Sequence, residues 1–441
     1  MKVTGFPSNP GPAAWDAILP TRARFGALEA EETSDWLVIG AGFAGLAAAR
    51  RLSQLAPGDK VTVLDALRVG EGPAGRNTGF MIDLPHDLAS SDYGGDVSAD
   101  KSIIARNRAA IAFAQDMVDA LGVPREAFQK VGKINGAASA KGTQHNAEYA
   151  AHLTQLGEPS EALDARQMQD ITGSTYYNGG LFTPGTVMLQ PALFVRSIAH
   201  KLRSNRVKIY EQSKVVGLER ANGLWHARCE RGVVKAPKVI LAVNGHAQSF
   251  GHFNRRLVHV YTYGSMSKAF PTERLTGKEN WGLTPADPLG STVRRISDAR
   301  GSRVIVRNRF TYEPNMTVNP AKLDRVWRTH DASFKVRFPE LDGLQMEHRW
   351  GGHLCLSLNN VPAFGEIDEG LFSACCQNGL GTVQGTLGGM MAAELATGHH
   401  SDMLAQMQTL DTPKRLPPEP IATFGARVRL MWGERQAGVE L

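Results

Sequence analysis

The sequence predicts an α/β protein: a dinucleotide-binding domain on a parallel sheet, joined to a discontinuous α+β domain on an antiparallel sheet. Three observations predict it. An apolar strand runs into the glycine turn Gly40-Ala-Gly-Phe-Ala-Gly45 and then into an alanine-rich helix. Two later apolar strands also end in glycine, at Gly245 and at Gly379. Between those two, residues 255–347 carry alternating strand candidates.

The first unit is Asp35-Trp-Leu-Val-Ile-Gly40, followed by a helical run to Arg51 and a second strand, Val61-Thr-Val-Leu-Asp65. Gly40 permits the turn, Gly42 permits close approach of a pyrophosphate, and Gly45 permits helix and strand to pack. The amides around Phe43 and Ala44 lie at a helix start, where N–H groups and the helix dipole favour phosphate. Asp65, with Ala66 after it, stands where a carboxylate meets ribose hydroxyls. This is a Rossmann-like unit.

Bulk properties bound the rest. The chain has 441 residues, 42% hydrophobic and 21% charged, with a formal net charge of +6 that is spread along it. No basic run reads as a nucleic-acid arm, and no apolar stretch is long enough to span a bilayer. No basic start followed by an apolar core is read at the N-terminus. Four cysteines, Cys229, Cys355, Cys375 and Cys376, make neither a disulfide framework nor a zinc ligand set. A reducing, cytoplasmic setting is expected. Cys375 and Cys376 read as buried thiols on opposite faces of a strand.

In chain order, residues 1–34 form a proline-rich lead-in with Trp15 as a packing anchor. Gly70 to Gly79 form an extended, cofactor-lining loop in which Arg76, Asn77 and Thr78 are donors. The spacing predicts a helix over 101–121 and a turn-rich entry over 178–185. A further helix is expected from Pro191 to about Arg203, then a short strand at 206–210 and a meander over 214–235. Lys238 to Gly245 reads as a strand buried on both faces. Strands at 256–266, 292–296 and 302–307 and a helix at 320–336 build the second domain. Phe372 to Gly385 is again strand, glycine turn and helix. The expected division is a lead-in at 1–34, a nucleotide domain at 35–90, 186–250 and 348–400, a second domain at 91–185 and 251–347, and an extension at 401–441.

Taken as a set, these motifs resemble the D-amino-acid oxidase superfamily of flavoproteins, and most the γ-glutamylputrescine oxidase branch. The residues that carry the likeness are the glycine motif with Asp65-Ala66, Gly75-Arg-Asn-Thr-Gly79, Ser213-Lys-Val215 and Ala242-Val-Asn-Gly245. Arg349-Trp-Gly-Gly352, Val361-Pro-Ala-Phe-Gly365 and Gly379-Leu-Gly-Thr382 complete the set. The resemblance implies a Rossmann-like FAD-binding domain of the glutathione-reductase type, with Asp65 on the adenosine ribose and the Val215 backbone on the adenine. It places Ala242, Asn244 and Gly245 along the cofactor, and sets Arg76, Asn77, Thr78 and Gly79 with Gly379, Leu380, Gly381 and Thr382 around the isoalloxazine. It also implies oxidation of a C–N bond by hydride transfer to flavin N5, followed by imine hydrolysis.

Three departures refine this. The loop position of the family's linking histidine reads Arg76-Asn77, and Cys355 is offset from the linking cysteine, so non-covalent FAD is expected. Leu354 stands where amino-acid oxidases keep a carboxylate-gripping arginine, which favours an amine or a derivatised amino acid unless Arg294 or Arg303 grips from elsewhere. Residues 303–307 read Arg-Val-Ile-Val-Arg, without the oxygen-activating lysine of sarcosine-oxidase-like members, so oxygen is expected to be a poor acceptor, and the electron acceptor is oxygen or another redox partner. The expected substrate wall is Tyr261, Tyr263, Trp350 and His353, a candidate amine cage, with Asp83 and His86 as further candidates. The alternatives are a nicotinamide-dependent dehydrogenase and a flavin-bearing scaffold or tRNA-modifying accessory protein.

Overall fold

The computed structural model describes residues 2–23, 25–85 and 95–441; His86 lies outside them. Its centre is the strand Trp36–Ile39, flanked in parallel by Val61–Leu64 and Lys238–Leu241. Val207–Tyr210 extends the sheet on one side and Leu371–Cys375 on the other, with Ala363–Asp368 antiparallel at the edge of the six strands. In Trp36–Ile39, Val61–Leu64 and Leu371–Cys375 every side chain is buried, which is why these strands read as nearly unbroken apolar runs. Val38, Val63 and Ile240 face a helical layer, while Leu37, Ile39, Val239 and Leu241 face the other way.

The helical layer pairs Phe43–Leu55 with Gly381–Thr397. A Cβ on Gly45 would lie 1.7 Å from the Gly40 carbonyl oxygen, and one on Gly389 would lie 1.9 Å from that of Ala44. Only glycine permits either approach. The opposite face carries the expected meander, Gly217–Ala221, Leu224–Arg228 and Val233–Ala236, extended by Glu31–Thr33 from the lead-in.

The second region is an eight-stranded sheet, antiparallel throughout except where Trp281–Pro285 runs alongside Lys133–Ala137. Two expectations are corrected here. Met346–Leu356 pairs with Val258–Ser267, so the boundary expected at 347/348 falls inside a strand of this sheet. Gly179–Thr183 is a strand between Lys133–Ala137 and Glu161–Asp164, although its glycines suggested a turn. Pairing on both sides overrides local propensity there.

The long helix is Val97–Leu121, begun by the Asp96 side chain accepting from the Ala99 amide and ended by Gly122 at φ 60°. Cys376 falls just past the strand end, at φ 55°, and both it and Cys375 enter one core with Cys355. The opposite-face reading of the two thiols is therefore corrected. A C-terminal helix, Ile421–Ala437, packs on the strand Gly301–Tyr312 and is tied there by Glu434 to Arg309 at 2.6 Å. Among the described residues no helix is long and apolar enough to cross a membrane.

Candidate functional site

Three parallel strands end at one place, and the residues after them line a groove of about 340 Å³: Gly40 and Gly42, Asp65 and Ala66, and Ala242 and Asn244. This is the carboxyl edge of the sheet, where doubly wound folds bind ligands. Gly42 caps its helix without any side chain, and the first intrahelical bond runs from the Leu46 amide to its carbonyl. The amides just before Leu46 are thus left without helical partners. A Cβ on Gly42 would meet only Ala74, at 3.5 Å, so the backbone there is open to a close ligand.

Each Asp65 oxygen accepts one amide, from Ala41 at 2.8 Å and Leu67 at 2.8 Å, which leaves lone pairs for hydroxyl donors. Burial pushes its carboxyl above the ordinary range, the backbone donors opposing that shift. Phe43, Ala44 and Val215 line the same groove, as does Asn9, whose buried Oδ1 has no partner. Glycine-framed amides, a ribose-type carboxylate and an orphaned acceptor along one channel fit an extended dinucleotide such as FAD.

At its far end the groove meets two backbone segments. Asn77 folds its amide back, donating to the Ala74 carbonyl at 2.7 Å and accepting from the Gly79 amide at 2.8 Å. Thr382 donates to the Phe80 carbonyl at 2.6 Å, which locks the 77–80 segment to the Gly379–Thr382 turn. Asn77, Thr78, Gly79, Gly379, Leu380, Gly381 and Thr382 together line a small cavity of about 80 Å³. The helix beginning at Gly381 has no side-chain cap and no acid in its first turn, so its free amides face that end of the site.

Other predicted residues lie behind the site. Gly45 serves helix packing, and Gly245 packs against His353 and Cys355, where a Cβ would come within 2.8 Å of both side chains. Arg76 is nearly buried and donates to the carbonyls of Glu71, Pro10, Gly11 and Gly351. It clamps the N-terminal arm to the loop and lines none of the three cavities.

The aromatic cage is also corrected. Tyr261 and Tyr263 have no exposed surface; the Tyr261 hydroxyl lies 2.9 Å from the Ser8 carbonyl, and that of Tyr263 lies 2.6 Å from Thr311. Trp350 is buried with Trp15 and donates to the Arg76 carbonyl at 2.8 Å. None of the three lines the groove, the small cavity or the 680 Å³ cavity. In a strand whose two faces are both covered, alternation does not tell wall from core.

Arg294 is no anion grip either. It donates to the Thr78 and Leu189 carbonyls and stacks over Trp15 at 4.9 Å, while burial draws its pKa down to about 9. Arg303 pairs with Glu347, and Asp83 is buried against Arg108.

His353 does reach the groove. Its Nε2 lies 3.1 Å from His259 Nδ1, and His259 Nε2 lies 3.3 Å from Gln248. Burial holds His259 down to about 4 and His353 well below its ordinary value, so both rings are neutral at neutral pH. Cys355 donates to Asn244 Oδ1 at 3.1 Å, and its burial raises the thiol pKa, leaving it a protonated core group.

Sequence reasoning missed several contributors. Phe6, Pro7 and Asn9 of the lead-in line the groove, though that segment shows no period. Lys133 is buried behind Thr284, hydrogen-bonded to it at 3.3 Å, and Thr284 lines the small cavity; burial lowers the lysine to about 8. A third cavity, of about 680 Å³, opens where Leu354 and Gln377 also bound the groove and Asn378 and Leu380 also bound the small cavity. Among the described residues, no cluster of histidine, cysteine and acidic side chains could hold a metal.

Comparison with known proteins gives the family and the fold. Residues 35–395 match the DAO family, described as FAD dependent oxidoreductase. The chain is 25% identical over 425 residues to the "Probable oxidoreductase OrdL" of Rhizobium meliloti (strain 1021), covering 91% of this chain and 92% of that one. It is 25% identical over 386 residues to the "Gamma-glutamylputrescine oxidoreductase" of Escherichia coli (strain K12), covering 85% and 86%. Among solved structures, glycine oxidase from Geobacillus kaustophilus superposes with a TM-score of 0.68 at 16% identity, over 88% of this chain and all of that one. L-Amino acid deaminase from Proteus myxofaciens gives 0.65 at 17%, over 91% and 96%. Both share the fold.

Proposed function

Because the chain belongs to the DAO family of FAD-dependent oxidoreductases, we propose that it oxidises a C–N bond of an amine or amino-acid derivative. FAD, when bound, supplies the acceptor for a hydride and its electron pair. On the substrate the C–H bond breaks, the nitrogen lone pair closes to C=N, and water then adds to give a carbonyl compound and a free amine.

The protein's share is binding and orientation. The amides after Gly42 would hold the pyrophosphate, Asp65 the adenosine ribose and Val215 the adenine. The 77–79 segment and the 379–382 turn would flank the isoalloxazine, and the uncapped helix start at Gly381 favours negative charge there. The neutral His259–His353 pair keeps this part of the groove wall uncharged, which suits an amine that must lose its proton before it can react.

The observation that carries the reading is that the groove and the 680 Å³ cavity meet at Leu354 and Gln377, beside the turn that begins the Gly381–Thr397 helix. A cofactor and a separate organic substrate thereby converge on one backbone turn. The test is anaerobic: a panel of polyamines, γ-glutamyl amines, N-methyl amino acids, D-amino acids and long-chain amines is added to the purified yellow protein. Loss of the flavin's visible band with at least one amine is expected, and a flavin that none of them bleaches contradicts the reading. Return of the band in air then reports on the acceptor. A slow return is expected from a 303–307 strand without lysine, and a fast one would turn attention to Lys133.

A further inference from the structure

The 680 Å³ cavity has a definite chemical character. Val258, Val260, Leu354 and Leu356 form one wall on the sheet, and Ala426 and Leu430 of the C-terminal helix form another. Its volume falls within the roughly 300–1,000 Å³ of pockets that enclose drug-sized ligands. A small amino acid would leave most of that apolar surface uncovered. A polyamine would set a second ammonium among mostly aliphatic side chains, in a cavity whose described lining carries two arginines and one carboxylate, Asp100, already engaged by His152 and the Gly95 amide.

Among the described residues, three charged side chains line the space: Asp100, Arg106 and Arg429. Asp100 is engaged, accepting from His152 at 2.7 Å and from the Gly95 amide at 2.9 Å. Arg106 and Arg429 make no ion pair with any described residue. Arg106 is half-buried on the long helix, and desolvation lowers its pKa.

On the premise of the amine-oxidising reading above, we propose that the substrate is an amphiphilic amine. Its reacting C–N bond lies at the 377–380 turn, an extended apolar chain fills the cavity between the sheet and the C-terminal helix, and an acidic group meets Arg106 or Arg429. The C-terminal helix is then part of the substrate site, because it supplies the wall opposite the sheet.

The experiment uses the FAD-loaded full chain. Anaerobic reduction rates at limiting substrate are compared for ω-aminododecanoate, dodecylamine, spermidine and sarcosine. Binding of dodecanoate, which has no amine to oxidise, is followed through the flavin spectrum. ω-Aminododecanoate is expected to lead dodecylamine by about tenfold, as one charge-assisted hydrogen bond allows. Shortening the chain is expected to cost roughly three- to fourfold per methylene. Arg106→Gln or Arg429→Gln weakens dodecanoate binding about tenfold and erases the preference for the acid. Ala426→Phe moves the optimum to shorter chains, and the flavin-to-protein ratio confirms that each variant is folded.

Spermidine or sarcosine ahead of the long-chain amines, or a preference that survives both arginine changes, overturns this inference and leaves amine oxidation standing. Dodecanoate bound with arginine dependence, but no amine bleaching the flavin, does the reverse: the site for an apolar acid stands and the reaction reading falls.

Discussion

The groove takes its lining from one repeated device. A parallel strand ends and the chain turns, at Gly40, Asp65 and Ala242, and again beyond Leu371–Cys375 at Gln377. The large cavity has no such device. Its walls come from the long helix, the antiparallel strands, the 377–380 turn and the C-terminal helix, drawn together from residue 85 to residue 430. The groove is backbone chemistry and its demands are stereochemical. The cavity is side-chain chemistry, so its demands are volume and charge. Changes in the groove should therefore act all at once, and changes around the cavity by degrees.

The largest effect is expected at Gly45, which lies behind the groove and lets the strand and helix that frame its glycine turn pack together. In Gly45→Val the new Cβ would meet the Gly40 carbonyl oxygen at 1.7 Å, so strand and helix must separate. The expected outcome is little soluble protein and almost no flavin in what remains, a loss above about 4 kcal/mol by thermal unfolding. A yellow, stable variant would break the comparison at its root. Next is Asp65→Ala, which removes the acceptor for two backbone amides along with the carboxylate offered to a ribose. FAD affinity should fall about 10- to 100-fold, measured by flavin release on dilution.

A pH effect of intermediate size comes from His259. The unfolded chain takes a proton on histidine near 6.5, while buried His259 takes one only near 4. Between those values the unfolded state binds more protons, so stability falls as pH drops from about 6.5 toward 4 and is flat above 6.5. His259→Gln should remove about 2–3 kcal/mol of that slope, read from unfolding midpoints across the range. An unchanged slope would mean the ring is not held neutral by burial.

The smallest expected effect is the most informative about the aromatics. Tyr263→Phe deletes one hydrogen bond to Thr311 in a core that lines none of the three cavities described. It should cost about 1 kcal/mol of stability and leave kcat/KM within about twofold. A tenfold loss of kcat/KM would restore Tyr263 to the substrate wall.

These contrasts also explain what could be read beforehand. The parallel strands, Gly40 to Gly45, Asp65, and the 77–79 and 379–382 segments were legible because each needs a residue type that few others can replace. Arg76 was legible as important but not in its role: an arginine in a glycine loop looks like a ligand donor, and only the fold shows four carbonyls around it. Tyr261, Tyr263 and Trp350 were misplaced because a covered strand buries aromatics on both faces. Lys133, Asn9 and the C-terminal helix carried no local signal, since their part depends on which distant segments pack beside them.

Oxidation of a C–N bond where the groove and the large cavity meet, at the 377–380 turn, is tested most directly by an anaerobic titration in which flavin bleaching and carbonyl product are counted together. One equivalent of carbonyl compound per flavin reduced is the predicted result. Bleaching without a carbonyl product, or reduction that requires a nicotinamide instead of an amine, would contradict the account.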